Sequence, residues 1–291
     1  MLRISLLIAL IIVLITNVCY AQVKELGWIY KGQPAIQEGI TVSAWGSGKA
    51  ADNNTRSIEG SNSVEIYSGS FFAGGKVEWL KPVSIPVAAN NYIQFVMYFL
   101  ANKTINPAGS QSDWYGIEPY RVPSVDQLRM IFVSEDGTKT SYVCYTNPID
   151  PDDSWMRVYV PVSKLKIPAG ATEYKLKQIL FFSSYRSMFY VGQIKTVEDS
   201  SAIKIVPLNN QSIAVGDNLF FQAETYSGAS TLRYTWNWGD GTPPEKDTSD
   251  RIGSHLYKKG GDYIVTLTVT DAAGIKSPAS ATAKVYVSDG L

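Results

Sequence analysis

Tyr234-Thr235-Trp236-Asn237-Trp238-Gly239-Asp240-Gly241-Thr242 is the stretch whose reading decides the fold. Side chains alternate across a strand, so Trp236 and Trp238 share one face. Rings of that size belong between packed layers, and at least one of the two should fill the space between sheets. Gly239-Asp240-Gly241 then makes a tight turn, with the Asp240 carboxylate placed to accept backbone N–H bonds. Further on, Gly261-Asp262-Tyr263-Ile264-Val265-Thr266-Leu267-Thr268-Val269-Thr270-Asp271 puts Tyr263, Val265, Leu267 and Val269 on one face of a second strand. Val215-Gly216-Asp217 opens a strand upstream, and His255-Leu256-Tyr257 lies between the two main strands. The pattern is that of a β-sandwich.

The same period extends outward. Beyond its first residues the chain of 291 residues keeps no helical periodicity for three turns. Ser63–Tyr67, Tyr92–Leu100, Leu128–Val133, Met156–Val160, Gln178–Phe182 and Phe189–Ile194 read as strands, separated by Gly, Pro, Asn and Asp turns. Asp136-Gly137 sits between two of these runs and predicts a hairpin, since both residues tolerate positive φ. A polar boundary, Glu198-Asp199-Ser200-Ser201, precedes a fresh series of strands beginning at Ala202-Ile203-Lys204-Ile205. The expected division is residues 22–200, the size of a larger sandwich or jelly roll, and residues 201–291, the size of one immunoglobulin-like sandwich.

The C-terminal strings occur together and in order, and over about 203–287 they closely resemble the PKD domain, a β-sandwich repeat of cell-surface and secreted proteins. The resemblance implies a spacer or interaction module without catalytic residues. Within it Trp236, Trp238, Asp240, Gly241, His255, Tyr257, Tyr263 and Asp271 take framework positions. His255, the single histidine of the chain, is therefore expected to be structural, and Asp240 and Asp271 to be turn-forming acids.

Residues 22–200 resemble more loosely the galactose-binding-like jelly rolls of carbohydrate-binding modules. The points of similarity are Gly60–Ile66, Val83-Ser84-Ile85, Ser154–Pro161 and the closing strand Phe189–Ile194. Gln193 stands where such modules carry an acid that helps hold calcium, a departure from the calcium-site pattern. The aromatic cluster that reads most clearly as a loop is Ser112-Asp113-Trp114-Tyr115-Gly116-Ile117-Glu118-Pro119-Tyr120-Arg121. Rings stack on the C–H face of a pyranose while carboxylates and guanidinium bond its hydroxyls, so Trp114, Tyr115, Glu118, Tyr120 and Arg121 are the candidate sugar platform. The bland alternative has Trp114 and Tyr120 folding back over a sandwich end. Trp45, beside Gly46-Ser47-Gly48, is a further candidate ring, whereas Trp28, Trp79 and Trp155 are expected in the core.

Several function classes are disfavoured. The 26 basic and 26 acidic residues balance, and a near-neutral surface offers no attraction to nucleic acid. Residues 22–200 contain no histidine, which removes Ser-His-Asp and Cys-His arrangements and histidine-built metal sites. Paired carboxylates such as Asp113, Glu118 and Glu135 leave a polysaccharide-active hydrolase as an alternative. No metal or cofactor is expected.

Met1-Leu2-Arg3, the apolar run Ile4–Thr16 and the small residues Cys19 and Ala21 read as an export signal spanning residues 1–21, cleaved after Ala21, with an uncleaved anchor or lipid attachment at Cys19 as the alternatives. Cys144 would then be the one remaining cysteine, buried and inert. The expectation is an all-β, secreted or cell-surface, non-catalytic protein that binds polysaccharide or glycan, or other extracellular proteins. A self-assembling subunit of a surface layer or filament is the alternative.

Overall fold

The computed structural model describes residues 23–69, 72–100, 127–145, 155–184, 186–248 and 250–289, with backbone alone at 104–105, 120–121, 145 and 245–248. The leader, and with it the expected cleavage site, lies outside the described residues. None of the described helices is long and apolar enough to cross a membrane.

The N-terminal strands are β1 (Lys24–Tyr30), β2 (Ile40–Trp45), β3 (Lys49–Asn53), β4 (Ser63–Ser68), β5 (Gly74–Pro86) and β6 (Asn91–Leu100). A short pair, β7 (Thr104–Ile105) and β8 (Tyr120–Arg121), follows. The remainder are β9 (Gln127–Ser134), β10 (Lys139–Tyr145), β11 (Trp155–Pro161), β12 (Glu173–Ser183) and β13 (Ser187–Glu198). One sheet runs β11-β6-β13-β4-β3, with β1 also pairing β13, and the other runs β10-β9-β12-β5-β2. Every pairing between these strands is antiparallel. Phe95, Met97 and Phe189 from the first sheet meet Phe132, Ile179 and Phe181 from the second in one buried core. This is the expected two-sheet sandwich.

The sequence runs explain their strands. β6 is buried at all ten positions, because both of its faces are covered, and so it reads as a continuous apolar run rather than an alternation. β12 and β13 are longer than their apolar runs, since register shifts at Leu176/Gln178 and Val191/Gln193 interrupt the alternation. Such bulges move one residue out of phase and break a period-two pattern. The Asp136-Gly137 hairpin is present: Gly137 adopts φ 83 and its N–H donates to Ser134 O at 2.9 Å.

The C-terminal strands are β14 (Lys204–Ile205), β15 (Gln211–Ala214), β16 (Asn218–Gln222), β17 (Thr225–Tyr226), β18 (Leu232–Asn237), β19 (Glu245–Thr248), β20 (Ile252–Leu256), β21 (Gly261–Asp271) and β22 (Ala279–Ser288). The main sheet is β15-β22-β21-β18-β19, with β15 parallel to β22. Packed against it are the two-stranded sheets β16–β20 and β14–β17. Trp236, Trp238, Val265, Leu267, Val269 and Val285 form a second, separate core. Val215-Gly216 turns the chain from β15 into β16, with Gly216 at φ 90.

Trp28 departs from expectation. It is 36% exposed on β1, a strand that pairs only with β13 among the described residues, and a lone edge strand leaves its outward rings uncovered. Trp79 is core as expected, its Nε1 donating to Ile29 O at 3.0 Å. Trp155 packs instead against a smaller cluster of Tyr67, Tyr98, Leu100 and Tyr190.

Candidate binding site

Register places one end of the N-terminal sandwich under several loops. Leu100 aligns with Met188, Met188 with Tyr67 and Tyr67 with Lys49, while Ser183 aligns with Leu128 and Gly74 with Trp45. At this end β2 stops and β3 starts in the other sheet, as do β4 and β5, and β12 and β13, while β6 ends at Leu100 and β9 begins at Gln127. Asp113, Trp114, Tyr115 and Glu118 lie outside the described residues. Of Tyr120 and Arg121 only the backbone is described, paired with Thr104–Ile105.

Trp45 stands at the same end and is described in full. Its ring meets Phe182 edge-on at 5.2 Å and Phe72 at 6.4 Å, and Phe72 stacks on Phe182 at 5.6 Å and 30°. Phe182 is buried, whereas Phe72 is 57% exposed. Among the described residues Phe72 is the one non-glycine with positive φ, at 63°. A left-handed phenylalanine costs about 1–2 kcal/mol, and such strain persists only where the surroundings hold it. Here they do. A Cβ on Gly46 would meet Phe72 O at 2.9 Å, and one on Gly48 would meet the Gly74 backbone at 2.3 Å. Beneath, Ser68 Oγ donates to Ala73 O at 2.9 Å and accepts from Ser183 N at 3.0 Å.

A second aromatic group lies on the outer face of the β6 sheet. The Arg56 guanidinium sits 4.0 Å over Tyr98 and 5.3 Å from Tyr190, and Tyr98 meets Trp155 at 5.7 Å. A Cβ on Gly192 would strike Trp155 at 2.6 Å, so the glycine makes room for the indole. Tyr98 is 2% exposed and Tyr190 6%, which makes this cluster packing and not a presented surface.

In the C-terminal sandwich the framework residues interlock in one aromatic row. Phe221 stacks on Trp236, Trp236 on Trp238 at 5.7 Å and Trp238 on His255 at 5.0 Å. His255 meets Tyr257 edge-on, and Tyr257 stacks on Tyr263 at 4.3 Å. His255 Nε2–H donates to Asp240 Oδ2 at 2.8 Å, while Asp240 Oδ1 accepts from Thr242 N at 3.0 Å and Oγ1 at 2.6 Å. Burial alone would raise the Asp240 pKa, but the bonds from Thr242 and His255 outweigh it and bring it down to about 2. Gly241, at φ 85, completes the turn. Asp271 accepts from the backbone N–H groups of Ala273, Ile275 and Lys276. The Asp240, His255 and Tyr257 side chains are thus bonded within the framework, Tyr257 OH donating to Trp238 O at 2.7 Å, whereas Trp236 Nε1 is buried with no partner among the described residues.

Residues 204–287 match the PKD domain.

The PKD domain is joined to the first sandwich by a buried ion pair. Lys276 Nζ lies 2.5 Å from Asp199 Oδ2, and Lys276 also donates to Ser227 O. Asp199 accepts further from Ser201 N and Ala229 N. Around this pair Tyr92 and Val197 from the first sandwich pack with Ala229 from the PKD domain. Tyr92 and Val197 lie at the opposite ends of β6 and β13 from Leu100 and Ser187, so the PKD domain sits at the far end from Phe72.

The remaining candidates separate. Glu135 is exposed in the β9–β10 turn, and its sequence partners Asp113 and Glu118 are outside the described residues. Cys144 is buried and unpaired, and burial raises its thiol pKa well above the usual range. Among the described residues no group of three or more His, Cys, Asp or Glu side chains is placed to hold a metal. Phe72, the residue sequence reading missed, had a faint signal in Gly69-Ser70-Phe71-Phe72-Ala73-Gly74-Gly75, a glycine-flanked pair of rings.

No curated protein matches the chain. Among solved structures, the glycoside hydrolase domain of Endo-D from Streptococcus pneumoniae aligns over 84% of this chain and 36% of its own, at 12% identity and TM-score 0.33. The beta-1,2-glucanase from Parabacteroides distasonis aligns over 94% and 40%, at 11% identity and TM-score 0.33. A Clostridium thermocellum endo-1,4-beta-D-xylanase with CBM22 and GH10 modules aligns over 66% and 33%, at 11% identity and TM-score 0.34. The chain thus spans about a third to two fifths of the length of these proteins.

Proposed function

We propose that this is an exported, non-catalytic carbohydrate-binding accessory built from two folding units, residues 22–200 and the PKD module of residues 201–291. The observation that carries the reading is the Phe72 platform. A large ring is held exposed on a strained backbone and braced by Trp45 and Phe182. Aromatic faces stack on sugar C–H groups, and a shallow site of this kind gives weak affinity, roughly 10 µM to 1 mM. The PKD domain, docked at the opposite end, leaves the platform open to a polysaccharide.

The test begins with mature protein in affinity gels loaded with neutral polysaccharides. Retardation by at least one glycan is expected, and Phe72→Ala should abolish it while the melting temperature moves by only a few degrees. A wild-type protein that passes every gel unretarded ends the proposal, and retardation that survives the substitution moves the site away from Phe72.

A further inference from the structure

A second concave surface lies on the side of the first sandwich, away from Phe72. It is an open cleft of about 530 Å³ with Trp28, Lys31, Glu38, Trp79, Leu80 and Lys81 in its lining. That volume is within the range of small-ligand sites. Both walls come from irregular strands. In β5, Glu78 pairs with Gln178 and Val83 with Leu176, so Trp79–Pro82 bulge opposite the single residue Lys177. In β1, register shifts fall on both sides of Trp28. Bulges of this kind re-aim side chains, and here they turn Leu80 outward, 61% exposed, across from Trp28. The floor is fixed. Trp79 Nε1 donates to Ile29 O, Leu80 N donates to Gly39 O at 2.8 Å, and Lys177 Nζ donates to Trp79 O at 2.7 Å.

The charges in this cleft are unevenly used. Glu38 accepts backbone N–H bonds from Lys31 and Gln33, each at 2.8 Å, one on either carboxylate oxygen. Lys195 lies 5.0 Å over the Trp28 ring and pairs with Glu25 at 3.0 Å. The Lys31 and Lys81 side chains are exposed, and no carboxylate among the described residues pairs with either. An indole fixed on one face and two uncommitted ammonium groups complement a ring that carries negative charge. We infer that this cleft binds an acidic sugar, its ring against Trp28 and its carboxylate or sulfate on Lys31 and Lys81. The inference rests on the carbohydrate reading above and adds a second site with a different ligand chemistry.

Full-length mature protein would be run in gels containing polygalacturonate, a sulfated galactan, poly-L-glutamate or a neutral glycan retained through Phe72. Retention on at least one acidic polysaccharide is expected, polygalacturonate assigning a carboxylate and the galactan a sulfate. It should weaken by about tenfold in Trp28→Ala and in Lys31→Gln/Lys81→Gln. It should also weaken as salt rises from about 0.05 to 0.3 M, because exposed charges are screened. Phe72→Ala should leave it unchanged. The lysine variant alters only exposed side chains, so a folding defect in Trp28→Ala would not decide the matter. Neutral glycan retained but acidic glycan ignored overturns this inference alone, whereas no retention on any polysaccharide overturns the carbohydrate reading with it. Acidic retention lost with Phe72 and kept without the lysines also refutes it, as does equal retention on poly-L-glutamate, which would assign the cleft to acidic peptides.

Discussion

The two most informative side chains are used in opposite ways. Phe72 is exposed on a backbone that phenylalanine disfavours, whereas Asp240 is spent wholly on holding a turn to His255 and Thr242. The Asp240 pKa falls from 3.8 to about 2 in the folded protein. A depressed carboxylate contributes stability above its unfolded pKa and loses it as pH drops through the folded value. Wild-type protein should therefore lose stability between about pH 4 and pH 2 partly through this residue. Asp240→Asn should cost about 1–3 kcal/mol near neutrality, as for hydrogen bonds to charged groups, and should flatten that acid limb in urea titrations. An unchanged limb would show that the bonds to Thr242 and His255 contribute little.

At the scale of strands, apolar runs map onto elements but not onto their faces. β10 alternates so that Cys144 points inward, 3% exposed, with its thiol pKa raised by burial. Thiolate is the reactive form, so a thiol-specific colorimetric reagent should find this cysteine silent in native mature protein and fully reactive in denaturant. Rapid native labelling would mean that β10 opens locally. Trp28 shows the limit of the same logic. Its run has strand character, yet burial depends on which strands lie alongside, and among the described residues β1 pairs only with β13.

For the molecule as a whole, the joint between the sandwiches matters most. Asp199 and Lys276 are nearly inaccessible, their side chains 1% and 7% exposed. Burial would raise the Asp199 pKa, but the hydrogen bonds from Lys276, Ser201 and Ala229 bring it below the usual value. Its contribution is thus present above about pH 4 and lost on acidification. Breaking one half of a buried pair costs about 3–5 kcal/mol. Asp199→Ala should consequently separate the melting of the PKD domain from that of the first sandwich, visible as two calorimetric transitions where wild type shows closer coupling. Coincident transitions in the variant would mean that the Tyr92–Val197–Ala229 contact alone holds the joint.

The sequence by itself determined the class of the fold, the strands and the PKD framework, because those rest on local chemistry. Period-two alternation, Gly239 and Gly241 in the turn, and two tryptophans two residues apart act within a few residues of one another. It also named Trp45 as a candidate ring. Only the tertiary structure decided what Trp45 touches, since Phe72 and Phe182 arrive from segments far along the chain. The same holds for Trp28 and the lysines of the cleft. Their exposure follows from sheet order and from bulges in β1 and β5, and register between distant strands leaves no periodic trace in either one. Asp199 and Lys276, a turn acid and a surface-type lysine in sequence, become a buried pair only when two sandwiches pack.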